Sequence, residues 1–205
     1  TYNNSIFLRW LLNTFIYAGV GASVGTLLAS MAGYALAKYI FPGRTFVFTI
    51  ILGSVLVPSM TLALPLFLMM SSLNLTNTYW SVLLPGIVSP FGVYFSRIYI
   101  AAAVPDELRE AARIDGAGEF QIFFSIIIRL MMPALVTIFL FQFVAIWNNY
   151  FLPLIMLNNE QLYPITVGLT NARFLALPGA LISTLPLLIG CVFLQYYWRS
   201  GWGTG

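Results

Sequence analysis

Val104-Pro105-Asp106-Glu107-Leu108-Arg109-Glu110-Ala111-Ala112-Arg113-Ile114-Asp115-Gly116 reads as one short helix with both ends marked. Pro105 suits a first turn, where its missing N–H costs nothing, and Asp106 and Glu107 complement the positive end of the helix dipole. Glu110 and Arg113 stand three apart, within pairing reach. Gly116 supplies the stop just past the last turn. Leu108, Ala111, Ala112 and Asp115 fall on one face, small and lightly apolar, which suits insertion into a groove on another protein. Local physics leaves a second reading open, that of a solvated amphipathic loop helix.

What surrounds this helix is almost wholly apolar. The segment Arg97–Arg129 holds five of the chain's six acidic residues. Sixty per cent of the 205 residues are hydrophobic, 7% are charged, and mean hydropathy is +0.90. Soluble domains carry about 25% charged residues. A chain this apolar cannot cover a water-facing surface, so lipid is its main solvent.

Working outward, the apolar runs predict an all-α polytopic membrane protein forming one domain over 1–205. The expected spans are 10–39, 46–70, 79–100, 130–157 and 175–198, with a charged loop at 101–129. Pro58 and Pro65 interrupt the second run, Pro85 and Pro90 the third. Phe41-Pro42-Gly43-Arg44 closes the first run with a turn. Residues 162–171 are mixed and suit the membrane interface.

Lys38, Arg44, Arg97, Arg109, Arg113, Arg129 and Arg199, seven of the nine basic residues, fall on alternate connections, leaving Arg9 and Arg173 for the other side. The positive-inside rule puts the first set, and the charged loop with it, in the cytoplasm. Five spans with a cytoplasmic C-terminus leave the N-terminus outside. This predicts an earlier span before Thr1, six in all.

Gly21, Gly25, Ala29, Gly33 and Ala37 repeat every four residues and line one helical face. That face is a seam for a neighbouring helix of this chain or of another subunit, or ordinary internal packing. Gln142, Asn148 and Asn149 are polar residues in or near the fourth run. They suit either contact with a solute in transit or hydrogen bonds between helices.

Several functions are excluded. The net charge of +3 and pI near 9.1 come from basic residues scattered between apolar runs, with no block to track phosphates, so no nucleic acid is expected. Cys191 is alone and there is no histidine, which leaves no disulfide framework or metal site. The sole lysine, Lys38, follows Ala35-Leu36-Ala37 rather than a glycine-rich turn, so the chain has no phosphate-binding loop of its own. No carboxylates cluster inside the spans, so no enzyme site is expected, and a secondary transporter, which couples to ions through such groups, is left as the weaker alternative.

Glu110-Ala111-Ala112-Arg113-Ile114-Asp115-Gly116-Ala117, with Pro133 beyond it, resembles the EAA loop of ABC importer permeases. The likeness extends to Asn13-Thr14, expected to open the first helix. It takes in Ala32-Gly33-Tyr34-Ala35-Leu36-Ala37 and the stretch from Pro58 to Pro65. Trp147-Asn148-Asn149 and Pro164-Ile165-Thr166-Val167-Gly168-Leu169 carry it into the last third. It is closest in pattern to the carbohydrate-uptake branch, the maltose-type second permease subunit. Arg129 departs from it, standing where the family commonly has a proline, and the stretch from Asn171 to Pro178 is short.

The resemblance implies the ABC importer permease fold and a coupling helix seated in an ATPase subunit through Glu110, Ala111, Ala112, Asp115 and Gly116. It implies a second permease subunit, two ATPase subunits carrying ATP and Mg, and an extracytoplasmic substrate-binding protein. No cofactor is expected on this chain itself. The location implied is the cytoplasmic membrane of a bacterium or archaeon, and the cargo a sugar or related carbohydrate, an amino acid or peptide being the alternative.

Overall fold

The computed structural model describes residues 4–171 together with Thr184 and Leu188. The span expected at 175–198 otherwise lies outside the described residues, as do Arg173, Cys191 and Arg199. Every element among the described residues is helical, as the sequence predicts.

Helix α1 (Asn4–Lys38) is the mast of the molecule. Its 35 residues reach about 52 Å at 1.5 Å per residue, well beyond a hydrocarbon core of about 30 Å. Both ends therefore project past the apolar layer, where polar fixtures are tolerated. Asn13, expected near the start of the helix, lies well inside it and is buried. The turn at Pro42-Gly43 ends the mast as expected, with Gly43 in the left-handed region at φ 85°.

The run 46–70 is two helices rather than one: α2 (Arg44–Val55) and α3 (Ala63–Ser72). The chain leaves the helix just before Pro58, because a proline disfavours helical geometry in the residue before it. Pro65 falls in the first turn of α3, where it is harmless. The third run is α4 (Trp80–Ile87) and α5 (Pro90–Ala103), bent where Ser89 caps α5 by accepting from Gly92 N–H. Then come the short helix α6 (Asp106–Ile114) and α7 (Glu119–Leu130), whose middle, Phe123–Ile127, is wound as a π-helix. Residues 119–129 of the expected loop are thus helical. Helix α8 (Met132–Trp147) follows at 83° to α7. Pro133 lacks the N–H that would bond back to Arg129, and a helix kinks where its ladder is cut. The run 130–157 ends early at Trp147, and α9 (Phe151–Met156) is a separate turn and a half. A 3-10 turn (Glu160–Leu162) and α10 (Ile165–Asn171) complete the described chain.

By length and composition, Ser5–Lys38 and Trp80–Ala103 each suffice to cross a membrane, and α7 with α8 would make a bent third crossing. Helices α4, α5 and α8 pack on the mast. The small-residue stripe is their seam, so it is used inside this chain. A Cβ at Gly21 would lie 2.8 Å from Ile146 Cδ1, and one at Gly25 would lie 2.6 Å from the Ile87 carbonyl oxygen and overlap the Gln142 amide. One at Gly33 would collide with Ser96, and Ala29 packs against Gly92. Only residues without a side chain, or with a methyl, allow backbones this close.

At the Lys38 end of the mast, a core of Tyr34, Ile100, Val104, Ala112, Ile122, Phe123, Ile127, Met131 and Ala134 joins α1, α5, α6, α7 and α8. At the Trp10 end, side chains of α1 hold the segment 160–165. Trp10 Nε1 donates to the Glu160 carbonyl (2.9 Å), Asn13 Nδ2 to those of Gln161 (2.8 Å) and Tyr163 (3.0 Å), and Tyr17 to that of Leu162 (2.9 Å). The Thr14 hydroxyl accepts from Ile165 N–H at 2.8 Å. The start of the mixed stretch 162–171 belongs to this arrangement, its backbone up to Ile165 satisfied by one helix's polar face, and the rest is α10.

Candidate functional site

The short charged helix sits where the mast ends, and its boundaries follow the sequence closely. Pro105 is the residue before the first turn, extended at ψ 141°, and Asp106 and Glu107 begin the helix. At the other end Gly116 adopts φ +83°. Its N–H reaches the Arg113 carbonyl (3.0 Å), and that of Ala117 reaches Ala112 (2.9 Å). This pair of bonds is the Schellman stop, which favours glycine because it needs a left-handed residue. The chain turns there and leads into α7.

Of the face expected, Leu108, Ala111 and Asp115 are exposed and Ala112 is not. The inward direction runs through Arg109 and Ala112, three residues apart. Ala112 is therefore buried in the core against Val104 and Ile122 and is not available for docking. Glu110, Ala111, Asp115 and Gly116 are exposed, as expected of a contact surface. Between them stand Glu107 and Ile114, and Ile114 is 86% exposed. An isoleucine held out in the last turn of a charged helix, with Leu108 also exposed near its start, is the feature the sequence pattern did not single out.

Arg113 does not pair with Glu110. It turns to Glu119 at the head of α7, its Nε donating at 2.7 Å. The turn at Gly116 brings that carboxylate within reach, leaving Glu110 without an ion pair among the described residues. Glu119 also accepts from Tyr34 (3.3 Å) and Tyr39, both at the mast's end.

The start of α6 is fastened to the same place. Lys38, its side chain almost wholly buried, donates to the Val104 carbonyl at 2.6 Å and pairs with Asp106 at 3.0 Å. Lys38, by hydrogen bond and by charge, holds the Asp106 carboxyl below the ordinary aspartate range. In return Arg109 donates to the Lys38 carbonyl at 2.7 Å. Pro42 removes the donor that would continue the helix to that oxygen.

Helix α1 leaves four last carbonyls to satisfy, as every helix does. Ala35 receives Tyr39 N–H (3.1 Å), Leu36 receives Arg44 Nε (2.8 Å) and Arg97 Nε (3.4 Å), Ala37 receives Arg44 (3.2 Å), and Lys38 receives Arg109. Three guanidinium groups thus meet the negative end of the mast's dipole. The sequence placed Lys38, Arg44, Arg97 and Arg109 on one side of the membrane but missed that they converge. The clue was available in Lys38, a lone lysine in the last turn of an apolar helix.

Gln142, Asn148 and Asn149 are not brought together as one polar surface. Gln142 is buried at the bend between α4 and α5, and Nε2 donates to the carbonyls of Gly86 (2.8 Å) and Ile87 (3.3 Å). Asn148 is exposed and turns back to the Val144 carbonyl. Asn149 accepts from Leu152 N–H at the start of α9, and its own carbonyl receives Thr166 at 3.0 Å. Pro153 had left that carbonyl without a helical donor. Two of the three are therefore bound to breaks between helices, the alternative that their sequence positions left open.

A bundle of apolar, proline-broken helices with one charged helix clamped outside it defines a polytopic membrane protein. Residues 25–198 match the family described as "Binding-protein-dependent transport system inner membrane component". The chain belongs to that family.

It is 38% identical over 207 residues to the arabinooligosaccharides transport system permease protein AraQ of Halalkalibacterium halodurans, covering 98% of this chain and 74% of that protein. It is 35% identical to the lactose transport system permease protein LacG of Rhizobium radiobacter, covering 92% of this chain and 71% of LacG. Among solved structures, a bacterial ABC transporter involved in the import of the acidic polysaccharide alginate contains a chain that superposes with a TM-score of 0.83. That chain is 27% identical, and the match covers 96% of this chain and 76% of the other. The fold expected from the sequence is the fold found.

Proposed function

We propose that this chain is half of the translocation path of an ATP-driven importer for a sugar or related carbohydrate in the cytoplasmic membrane of a bacterium or archaeon. It works beside a second permease subunit, with two ATPase subunits that bind and hydrolyse ATP with Mg and an extracytoplasmic binding protein that delivers the cargo. The names of AraQ and LacG support the cargo class.

The observation that carries the mechanism is the outward face of α6, with Glu107, Glu110, Ala111 and Ile114 exposed on a helix tied down at both ends. Ile114 and Ala111 supply apolar area for a groove, and the two glutamates fix register at its rim. Closure of the ATPase pair around ATP pushes on this helix. Because α6 rests on the core that joins α1, α5, α7 and α8, the push tilts the bundle and alternates access between the two sides.

The test is made on the co-expressed complex with Glu110→Ala and Gly116→Leu. ATPase co-purification and substrate-stimulated hydrolysis are measured for each. Loss of either property while the permease remains folded in the membrane supports the reading. Unchanged assembly and stimulation in both variants would sink α6 as the docking element. Uptake by the wild-type complex in proteoliposomes, measured for arabino-oligosaccharides, galactosides and a peptide mixture, decides the cargo class.

A further inference from the structure

We propose that Lys38 and Glu119 are the positioning residues through which movement of α6 reaches the membrane helices, one at each end of α6. The proposal rests on the reading of α6 as the ATPase contact. A short exposed helix can transmit a push only if its ends are fastened to what must move; otherwise it swivels on its loops.

At the start of α6 the fastening is reciprocal. The Lys38 amine holds the Val104 carbonyl and Asp106, while Arg109 holds the Lys38 carbonyl. Lys38 belongs to α1, so α6 cannot shift along its axis without pulling the end of the mast. The amine is charged and its side chain is only 6% exposed, so releasing it would leave a buried charge unpaired. That cost makes the joint stiff.

At the end of α6 the joint is Glu119. One oxygen takes Arg113 from α6, and the other takes Tyr34 and Tyr39 from the end of the mast. Glu119 is the first residue of α7, which turns at 83° into α8. Motion of α6 therefore enters the membrane elements by two routes, through Lys38 to α1 and through Glu119 to α8 and, by way of Tyr34, to α1 as well. Both routes start from the same short helix, so the two must move together.

The experiment uses the full complex in proteoliposomes with its binding protein, and reads substrate imported per ATP hydrolysed. Lys38→Met keeps the apolar stem and removes the donor; Lys38→Arg keeps charge and donors; Glu119→Gln removes the charge that Arg113 meets. Lys38→Met and Glu119→Gln should each lower uptake per ATP by about tenfold, within the usual range for coupled sites. Lys38→Arg should recover most of the loss. A purely structural role would lower assembled yield and leave this ratio alone.

An unchanged ratio in assembled Lys38→Met and Glu119→Gln complexes overturns the proposal. If Lys38→Met fails to assemble, the ratio for Glu119→Gln, whose pair is partly exposed, decides by itself. A Glu110→Cys permease that forms no cross-link to the ATPase would instead overturn the docking reading, which separates the two failures.

Discussion

Gln142 gives its amide hydrogen, at 2.8 Å, to the carbonyl of Gly86, the oxygen that Pro90 leaves without an α-helical donor. The bend between α4 and α5 is thereby held open by a side chain from α8. Replacing Gln142 by leucine should leave that buried oxygen unpaired and destabilise the protein by about 1–3 kcal/mol. Gln142→Glu should be worse, because a carboxylate would face two carbonyl oxygens. Thermal unfolding of the purified protein in detergent checks the order. Equal stability of Gln142→Leu and wild type would mean that the bend does not depend on this bond.

Gly25 lies against the same amide. A methyl group there would overlap the Gln142 side chain and stand 2.6 Å from the Ile87 carbonyl oxygen, which is backbone and cannot step aside. Gly25→Ala should therefore cost about 1–3 kcal/mol as an overpacked contact. Gly19 is six residues earlier on the same helix and has nothing within 4 Å of a Cβ. Gly19→Ala should stabilise instead, by up to about 1 kcal/mol, through the lost freedom of the unfolded chain. Parallel melting curves of the two variants make the test. A Gly25→Ala protein that matches Gly19→Ala would refute so tight a seam.

What the sequence made legible was local. The bounds of α6 follow from Pro105, Asp106, Glu107 and Gly116, each acting within a turn of its own position. The seam follows from a spacing of four. The identity of the surface across that seam was not local, because Ile87, Ser96 and Gln142 lie far along the chain. Arg113 shows the limit most clearly: Glu110 and Glu119 were both within its reach, and only the left-handed turn at Gly116 decided between them. The prolines were read as breaks, which they are, but each also advertises a carbonyl four residues earlier. Lys38, Gly86 and Asn149 carry such carbonyls before Pro42, Pro90 and Pro153, and Arg109, Gln142 and Thr166 come to them from distant segments.

The Lys38–Asp106 pair should show itself in the pH dependence of stability. Asp106 has its carboxyl held below the ordinary aspartate range by Lys38. A depressed carboxylate stabilises the folded state above its unfolded value, and that contribution is lost as pH falls through the lower folded value. Wild type should therefore exceed Asp106→Asn in melting temperature by a constant margin at neutral and mildly acidic pH. The margin should shrink only below the ordinary aspartate range. It should be small, since Asp106 itself is exposed to solvent and salt. A margin that grew on acidification would contradict the assigned direction.

Asn13 carries the heaviest polar load at the opposite end of the mast. Its amide nitrogen donates to the carbonyls of Gln161 and Tyr163, and its oxygen accepts from the Tyr79 hydroxyl at 2.8 Å. The side chain itself is buried. Tyr79→Phe deletes one bond and should cost about 1 kcal/mol. Asn13→Leu deletes all three and strands the Tyr163 carbonyl and the Tyr79 hydroxyl, while the Gln161 carbonyl keeps Arg9 Nε at 3.1 Å, which should cost about 2–3 kcal/mol. The double variant should cost less than the sum, because the two residues share a bond and their effects couple. Hydrogen exchange adds a local readout. Amide protection at 160–165 should fall in Asn13→Leu, while that of α6, at the far end of α1, should stay as in wild type. Loss of protection at both ends together would mean that the mast melts as one piece, and that Asn13 holds the whole helix rather than the segment laid across it.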